Sequence, residues 1–274
     1  MSTEGTTRAH PVPGSGPGGA AAADGDRFAL FGAVLRAEWT KIRSLPSLYG
    51  SLAAVVLMSA AITLVAAGTD HATHTEPGFD PLFYAFYGVN FGQLAAVAFG
   101  VAAVAGEWSG GTIRVSLVAV PRRATLYAAK LTVVGGLALA AGLLTGLACF
   151  FGGEAVLGRH GVRLGAPGAL PAVLGCGLYL ALLTLLAAGV AALLRSPVGA
   201  LSLLLPLVVS VSPLLGSIDA TKDLAQFLPD RAGQQILHTV PEGALTGWTG
   251  LAAMTAWAAV TVWAGGRGLA RRDQ

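Results

Sequence analysis

Charge is what this sequence has least of. Of 274 residues, 17 are Lys or Arg and 14 are Asp or Glu, 11% in all, where an ordinary soluble domain carries about a quarter. Together with 54% hydrophobic residues, that shortage excludes a soluble globular fold. The formal net charge of +3 offers no basic surface for nucleic acid, and no such partner is expected. Lysine is scarcest among the cations: Lys41, Lys130 and Lys222 precede Ile42, Leu131 and Asp223. None meets the GK[ST] ending of a phosphate-binding loop, so the chain cannot hydrolyse ATP alone. HExxH and GxSxG are also missing. The two cysteines, Cys149 and Cys176, lie inside apolar runs and read as small hydrophobes in helix interfaces. The first 26 residues lack the apolar run of a signal peptide, and 1–26 is expected to be a disordered tail.

What the chain has instead is long uncharged blocks, each able to cross a ~30 Å hydrocarbon core as a helix. Six spans are expected, at about 48–68, 82–106, 131–153, 170–194, 198–217 and 248–265, so 27–274 is one all-α polytopic membrane domain. Gly142 and Gly146 form a small-xxx-small pair that serves either a dimer face or packing within the chain. Only Arg195, Ser196 and Pro197 separate spans four and five, which permits a tight helical hairpin. Pro206 and Pro213 predict kinks in span five.

Six spans put both termini on one side. Thirteen of the 17 Lys and Arg residues fall on that side, against Arg159, Arg163, Lys222 and Arg231 opposite. By the positive-inside rule both termini are cytoplasmic. Within 27–44, Phe28, Phe31, Leu35, Trp39 and Ile42 recur at spacings of three or four, while Arg36, Lys41 and Arg43 fall largely off that face. That pattern predicts an amphipathic helix lying in the membrane interface, against lipid headgroups. Segment 219–246 is too polar to cross, but Leu224, Phe227, Leu228, Ile236 and Leu237 predict its partial burial on the outer side. His71, His74 and Glu76 lie in the first outer loop and read as solvated polar residues rather than a metal site.

Segment 107–130 gathers one carboxylate and four basic groups into an apolar chain. Gly110 and Gly111 interrupt the helix of span two, and Pro121 suits the first turn of the next helix. The piece between them, Thr112–Val120, offers an apolar face and Arg114: a docking surface, not a catalytic site.

In these motifs the chain resembles the membrane subunits of ATP-binding cassette exporters of the type 2 class. Leu35, Glu38, Trp39, Lys41, Arg43 and Ser44 match an LxxEWxKxRS opening segment. Glu107, Gly111, Thr112, Leu117, Pro121, Arg122 or Arg123, and Lys130 match an E…GT…L…PxxR…K loop, and FLPDRAGQQIL at 227–237 matches the last outer segment. The resemblance implies a permease that seats a coupling helix in a separate ATPase subunit, which binds ATP and Mg; this chain itself needs no cofactor. It implies Thr112–Leu117 as the docking element, Glu107 and Arg114 fixing its pose, and Arg122 and Arg123 meeting headgroups or ATPase carboxylates. It also implies pairing with a second permease copy or homologue, in the inner membrane of a bacterium.

Two other classes are set against this one. A proton-coupled secondary transporter usually keeps ionisable residues near the midplane, and the middle of every span lacks them. A membrane scaffold or immunity factor stays open. In span two, Tyr84, Tyr87, Asn90 and Gln93 recur every third residue. Of these, Tyr87, Asn90 and Gln93 are candidates either for a substrate path or for interhelix hydrogen bonds. The uncharged interior fits lipid-like or amphipathic cargo and export.

Overall fold

A computed structural model describes residues 17–69, 79–109, 123–240 and 243–271, and those residues are all-helical or loop. The long elements are α1 (Pro17–Ser44), α2 (Pro46–Thr69), α4 (Val89–Ser109), α5 (Arg123–Leu157), α6 (Ala169–Leu194) and α11 (Gly247–Arg271). The shorter ones are α3 (Pro81–Ala85), α7 (Pro197–Pro206), α8 (Ser212–Ser217), α9 (Lys222–Ala225) and α10 (Pro229–Gln234). Between α7 and α8, residues Leu207–Val211 form a π-helical turn.

Five stretches are long and apolar enough to cross a membrane: Pro46–Thr69, Val89–Gly106, Ala124–Leu157, Ala169–Leu194 and Pro197–Ser217. The chain is a multi-pass membrane protein. The expected sixth span lies inside α11, which is long enough at about 1.5 Å per residue. It falls short of the other five in apolarity because Thr249, Thr255, Thr261 and several glycines interrupt it.

Several expected boundaries are corrected. Helix α1 begins at Pro17, inside the segment expected to be a disordered tail. Span two does not start at 82: Asp80 caps a separate short helix, α3, and a turn at 86–88 precedes Val89. The helix that carries the third span, expected at 131–153, reaches from Arg123 to Leu157. The kink expected in span five takes the form of the π turn directly after Pro206, whose ring cannot supply the usual N–H. The hairpin between α6 and α7 is as tight as its three residues demand. Arg195 takes a left-handed conformation (φ 52°), and the Ser196 side chain accepts a bond from Gly199 N.

Helix α6 is the axis of the bundle, buried along most of its length by α4, α5 and α11. Ala and Gly on the facing surfaces make this approach possible, since helices in lipid associate by van der Waals packing rather than by expelling water. A Cβ on Gly142 would stand 2.9 Å from Gly177 Cα, and one on Gly146 would stand 2.7 Å from Val173 O. The Gly142–Gly146 pair is therefore spent on packing within the chain, against α6. Gly100 of α4 meets α6 in the same way, with Thr184 O at 2.4 Å from the place of its missing Cβ.

Two ends of the bundle can be distinguished. The near end holds Ser44, Arg123 and Arg195, where Arg195 Nη2 donates to Gly268 O at 3.0 Å. The far end holds Asp80 and the described residues of 219–246, of which Ile236 and Leu237 are buried while Leu224 and Phe227 are exposed. Adding a methyl at Gly100 should thus cost about 1–3 kcal/mol by overpacking. Gly136→Ala, with nothing within 4 Å, should leave stability unchanged or raise it. Thermal unfolding of the two variants in one detergent, followed by tryptophan fluorescence, checks the contrast.

Candidate functional site

At the near end, α1 leans on the first turns of α5. Val34 and Ile42 are buried with Glu38 between them, one helical turn from each, and Val34 packs with Leu126 and Ala129. Phe31 and Leu35 are partly buried against the same cluster. Trp39, on the face expected to lie in the membrane interface, is 47% exposed, and the buried stripe runs through 34, 38 and 42. Arg36 and Arg43 are exposed and Lys41 half-buried.

A carboxylate on a buried stripe needs a partner, and Lys130 supplies it. Lys130 Nζ donates to Glu38 Oε2 at 2.6 Å, with both residues 5% exposed. The pair joins residues 92 apart in sequence, two turns into the helix that follows the proposed coupling loop. The sequence carried both residues as motif positions but gave no sign that they touch. Of the expected coupling residues, Gly111, Thr112, Arg114, Leu117, Pro121 and Arg122 lie outside the described residues. Glu107 belongs to the last turn of α4 and Arg123 opens α5.

At the far end, the candidate residues of span two face a cavity of about 360 Å³. Tyr87, Asn90 and Gln93 line one wall, Val208 and Pro213 of span five another, and Asp230, Arg231 and Gln234 a third. Gln93 is buried and bonds across the bundle. The Tyr179 hydroxyl of α6 donates to Gln93 Oε1, and Gln234 Nε2 donates to both Gln93 Oε1 (3.1 Å) and Tyr179 Oη (3.2 Å). Gln93 Nε2 and Asn90 Nδ2 turn back to the backbone oxygens of Asn90 and Tyr87. In this stripe Gln93 ties helices together, and Tyr87, Asn90 and Gln93 all line the cavity. Tyr179 and Gln234 were not singled out from sequence, and a lone Tyr in an apolar run gives no signal of its partner.

Asp80 closes the far end. It caps α3 by accepting from Leu82 N (3.0 Å) and Phe83 N (3.1 Å). It also receives Thr239 N (2.9 Å) and Thr239 Oγ1 (2.6 Å), with His238 Nδ1 at 3.5 Å. His238 stacks on Phe83, ring centroids 4.8 Å apart. Partial burial pulls the Asp80 carboxyl upward, but the bonds from His238, Thr239 and the backbone outweigh it and lower its pKa to about 2. Asp230, 3% exposed, shows the reverse: burial pushes its pKa up against the pull of nearby Ser212 and backbone amides. No group of His, Cys, Asp and Glu among the described residues could hold a metal. Cys149 and Cys176 are free and buried.

Removing one member of the near-end pair leaves a buried charge, so Lys130→Ala should cost about 3–5 kcal/mol. Replacing both, as Glu38→Leu with Lys130→Leu, should recover most of that loss; unfolding of the three variants in detergent measures it. For Asp80, a carboxyl whose folded pKa is depressed stabilises above its ordinary value of 3.8 and loses that contribution as pH falls through about 2. Unfolding midpoints between pH 5 and pH 2 should fall more steeply for the native chain than for Asp80→Asn.

Two comparisons complete this picture. No curated protein matches the chain. The family described as ABC-2 family transporter protein matches residues 34–212, a stretch that runs from the buried stripe of α1, through the Glu38–Lys130 pair and the close-packed glycines, to the π turn of span five. On that match over most of its length, the chain belongs to the ABC-2 family of transporter proteins.

Proposed function

We propose that the chain is the membrane-spanning permease subunit of an ATP-binding cassette exporter. A separate ATPase subunit binds ATP and Mg and drives substrate movement across the cytoplasmic membrane of a bacterium. In this reading α11 is the sixth span, both termini are cytoplasmic, α1 lies in the inner interface with Trp39 toward the headgroups, and 219–246 faces outward. The working unit holds a second permease copy or homologue.

The observation that supports coupling is the Glu38–Lys130 pair. Segment 110–122 leads directly into α5, and Lys130 sits two turns beyond. A buried, charge-assisted bond there makes α1 and the start of α5 one rigid body. Closure of two ATPases against residues 112–117 would therefore move the interfacial helix and span three together. Glu107 and Arg114 would set the pose of the docking element, and Arg122 and Arg123 would meet headgroups or ATPase carboxylates. The far-end cavity, lined by Tyr87, Asn90 and Gln93, would belong to the substrate path.

The test is a pull-down of the tagged full chain from its native membrane in mild detergent, with bound proteins identified by mass spectrometry. A stoichiometric P-loop ATPase, lost in Arg114→Glu, is expected. An intact, oligomeric chain that brings down no ATPase would overturn the reading.

A further inference from the structure

Two cavities meet at the far end. The inner one, of about 360 Å³, is the cavity lined by Tyr87, Asn90 and Gln93. The outer one, of about 410 Å³, is lined by Phe79, Asp80, Pro81, Tyr84, Thr239 and Val240. Among the described residues, only Phe83 and His238 line both. Chain order sets the two in line: residues 79, 80, 81 and 84 border the outer cavity, and residues 87, 90 and 93 border the inner one. The outer cavity reaches the surface, where Val240 is 74% exposed.

The two shared residues are stacked on each other, with ring centroids 4.8 Å apart and an interplanar angle of 17°. Phe83 also meets Tyr84 of the outer cavity and Tyr87 of the inner one edge-on, at 6.0 and 5.8 Å. Packed interiors leave few voids larger than a water molecule, so a ring pair between two cavities of this size is a partition rather than core packing. One carboxylate holds both halves of it. Asp80 accepts from Leu82 N and Phe83 N on the α3 side, and from Thr239 N and Thr239 Oγ1 on the other. The α3 side is anchored: Leu82 and Ala85 are buried, and Ala85 Cα stands 2.9 Å from the place of a Cβ on Gly153 of α5. The opposite side is not. Past Leu237 the chain leaves its helical turn, His238 is extended (φ −100°, ψ 143°), and Thr239 and Val240 are exposed. Release of Thr239 from Asp80 would let His238 leave Phe83 while α3 stays in place.

We propose that the Phe83–His238 stack is a gate between the two cavities and that Asp80 is its latch. The structure holds the gate closed. Its place on a substrate path rests on the permease reading, but the barrier itself does not. The test needs neither ATPase nor substrate, so either can fail alone.

The full chain in nanodiscs carries one reporter, Asn90→Cys in the inner cavity or Val240→Cys in the outer one. Each is modified with a charged methanethiosulfonate, which does not enter lipid. Cys149 and Cys176 are buried, and the chain with no added cysteine sets the background. A closed gate leaves the open state at about 10% or less of the population, so Asn90→Cys should react at least about tenfold more slowly than Val240→Cys. Phe83→Ala and His238→Ala should each bring the Asn90→Cys rate close to that of Val240→Cys, whose own rate should not change. Asp80→Ala should raise the Asn90→Cys rate with both rings still present. Equal rates at the two reporters in the otherwise native chain, or an Asn90→Cys rate indifferent to loss of either ring, overturns the gate. Indifference to Asp80→Ala overturns the latch. Elution profile and unfolding midpoint establish folding. His238→Ala decides the matter if Phe83→Ala does not fold, and Pro213→Cys, on another wall of the inner cavity, replaces Asn90→Cys if that reporter does not.

Discussion

A polar group inside a bilayer finds no water to bond, and leaving it unpaired is expensive. That constraint governs this chain from backbone to side chain. It makes every spanning segment a helix, since only a helix satisfies its own N–H and C=O groups. It also explains where the few polar side chains stand. Thr63 Oγ1 receives Gly88 N at the break before α4, Thr145 bonds back to Ala141 O, and Gln93, Tyr179 and Gln234 bond one another. The Glu38–Lys130 pair obeys the same rule with full charges. Burying two ions is costly, and it is tolerated when each is the other's partner at 2.6 Å.

The same constraint divides the molecule. Toward the near end the helices are regular, and a buried ion pair welds α1 to α5. Along the middle, α6 is gripped through small residues, so that neighbouring backbones approach within van der Waals distance. Toward the far end regularity breaks: α3 is separated from α4, span five passes through a π turn, and short helices replace a span. Irregular backbone at membrane depth is tolerated where protein buries it or a cavity receives it, and the cavity lined by Asp230 and Arg231 lies among these breaks.

Much of this was legible in the sequence. Uncharged runs located five spanning helices, and three residues between Leu194 and Val198 required a tight hairpin. The order of Glu107, Gly111, Thr112, Pro121 and Lys130 pointed to the family. What escaped was tertiary. Hydropathy does not separate 82–85 from 89–106, because the break depends on Asp80 capping a short helix. Periodicity read Phe28, Phe31, Leu35, Trp39 and Ile42 as the membrane-facing side of α1 and did not mark the stripe that the protein buries. The actual stripe passes through Glu38, which looks misplaced until Lys130, 92 residues away, is seen beside it. Tyr87, Asn90 and Gln93 were picked out by spacing, but nothing local distinguishes Gln93, which bonds across the bundle, from its two neighbours, which do not. Asp230 reads as an ordinary loop carboxylate until its surroundings are known.

The central claim is that events at the near end alter the far-end cavity while α1 and α5 move as one body. Spin labels on exposed sites test it directly, one pair at Arg36 and Thr132 and a second at Phe91 and Leu214, with distances measured by electron–electron resonance. The protein would be reconstituted with its co-purified ATPase, with and without a trapped nucleotide. The account predicts an unchanged distance for the first pair and a nucleotide-dependent change for the second. A cavity distance indifferent to nucleotide, or a first pair that separates, would contradict it.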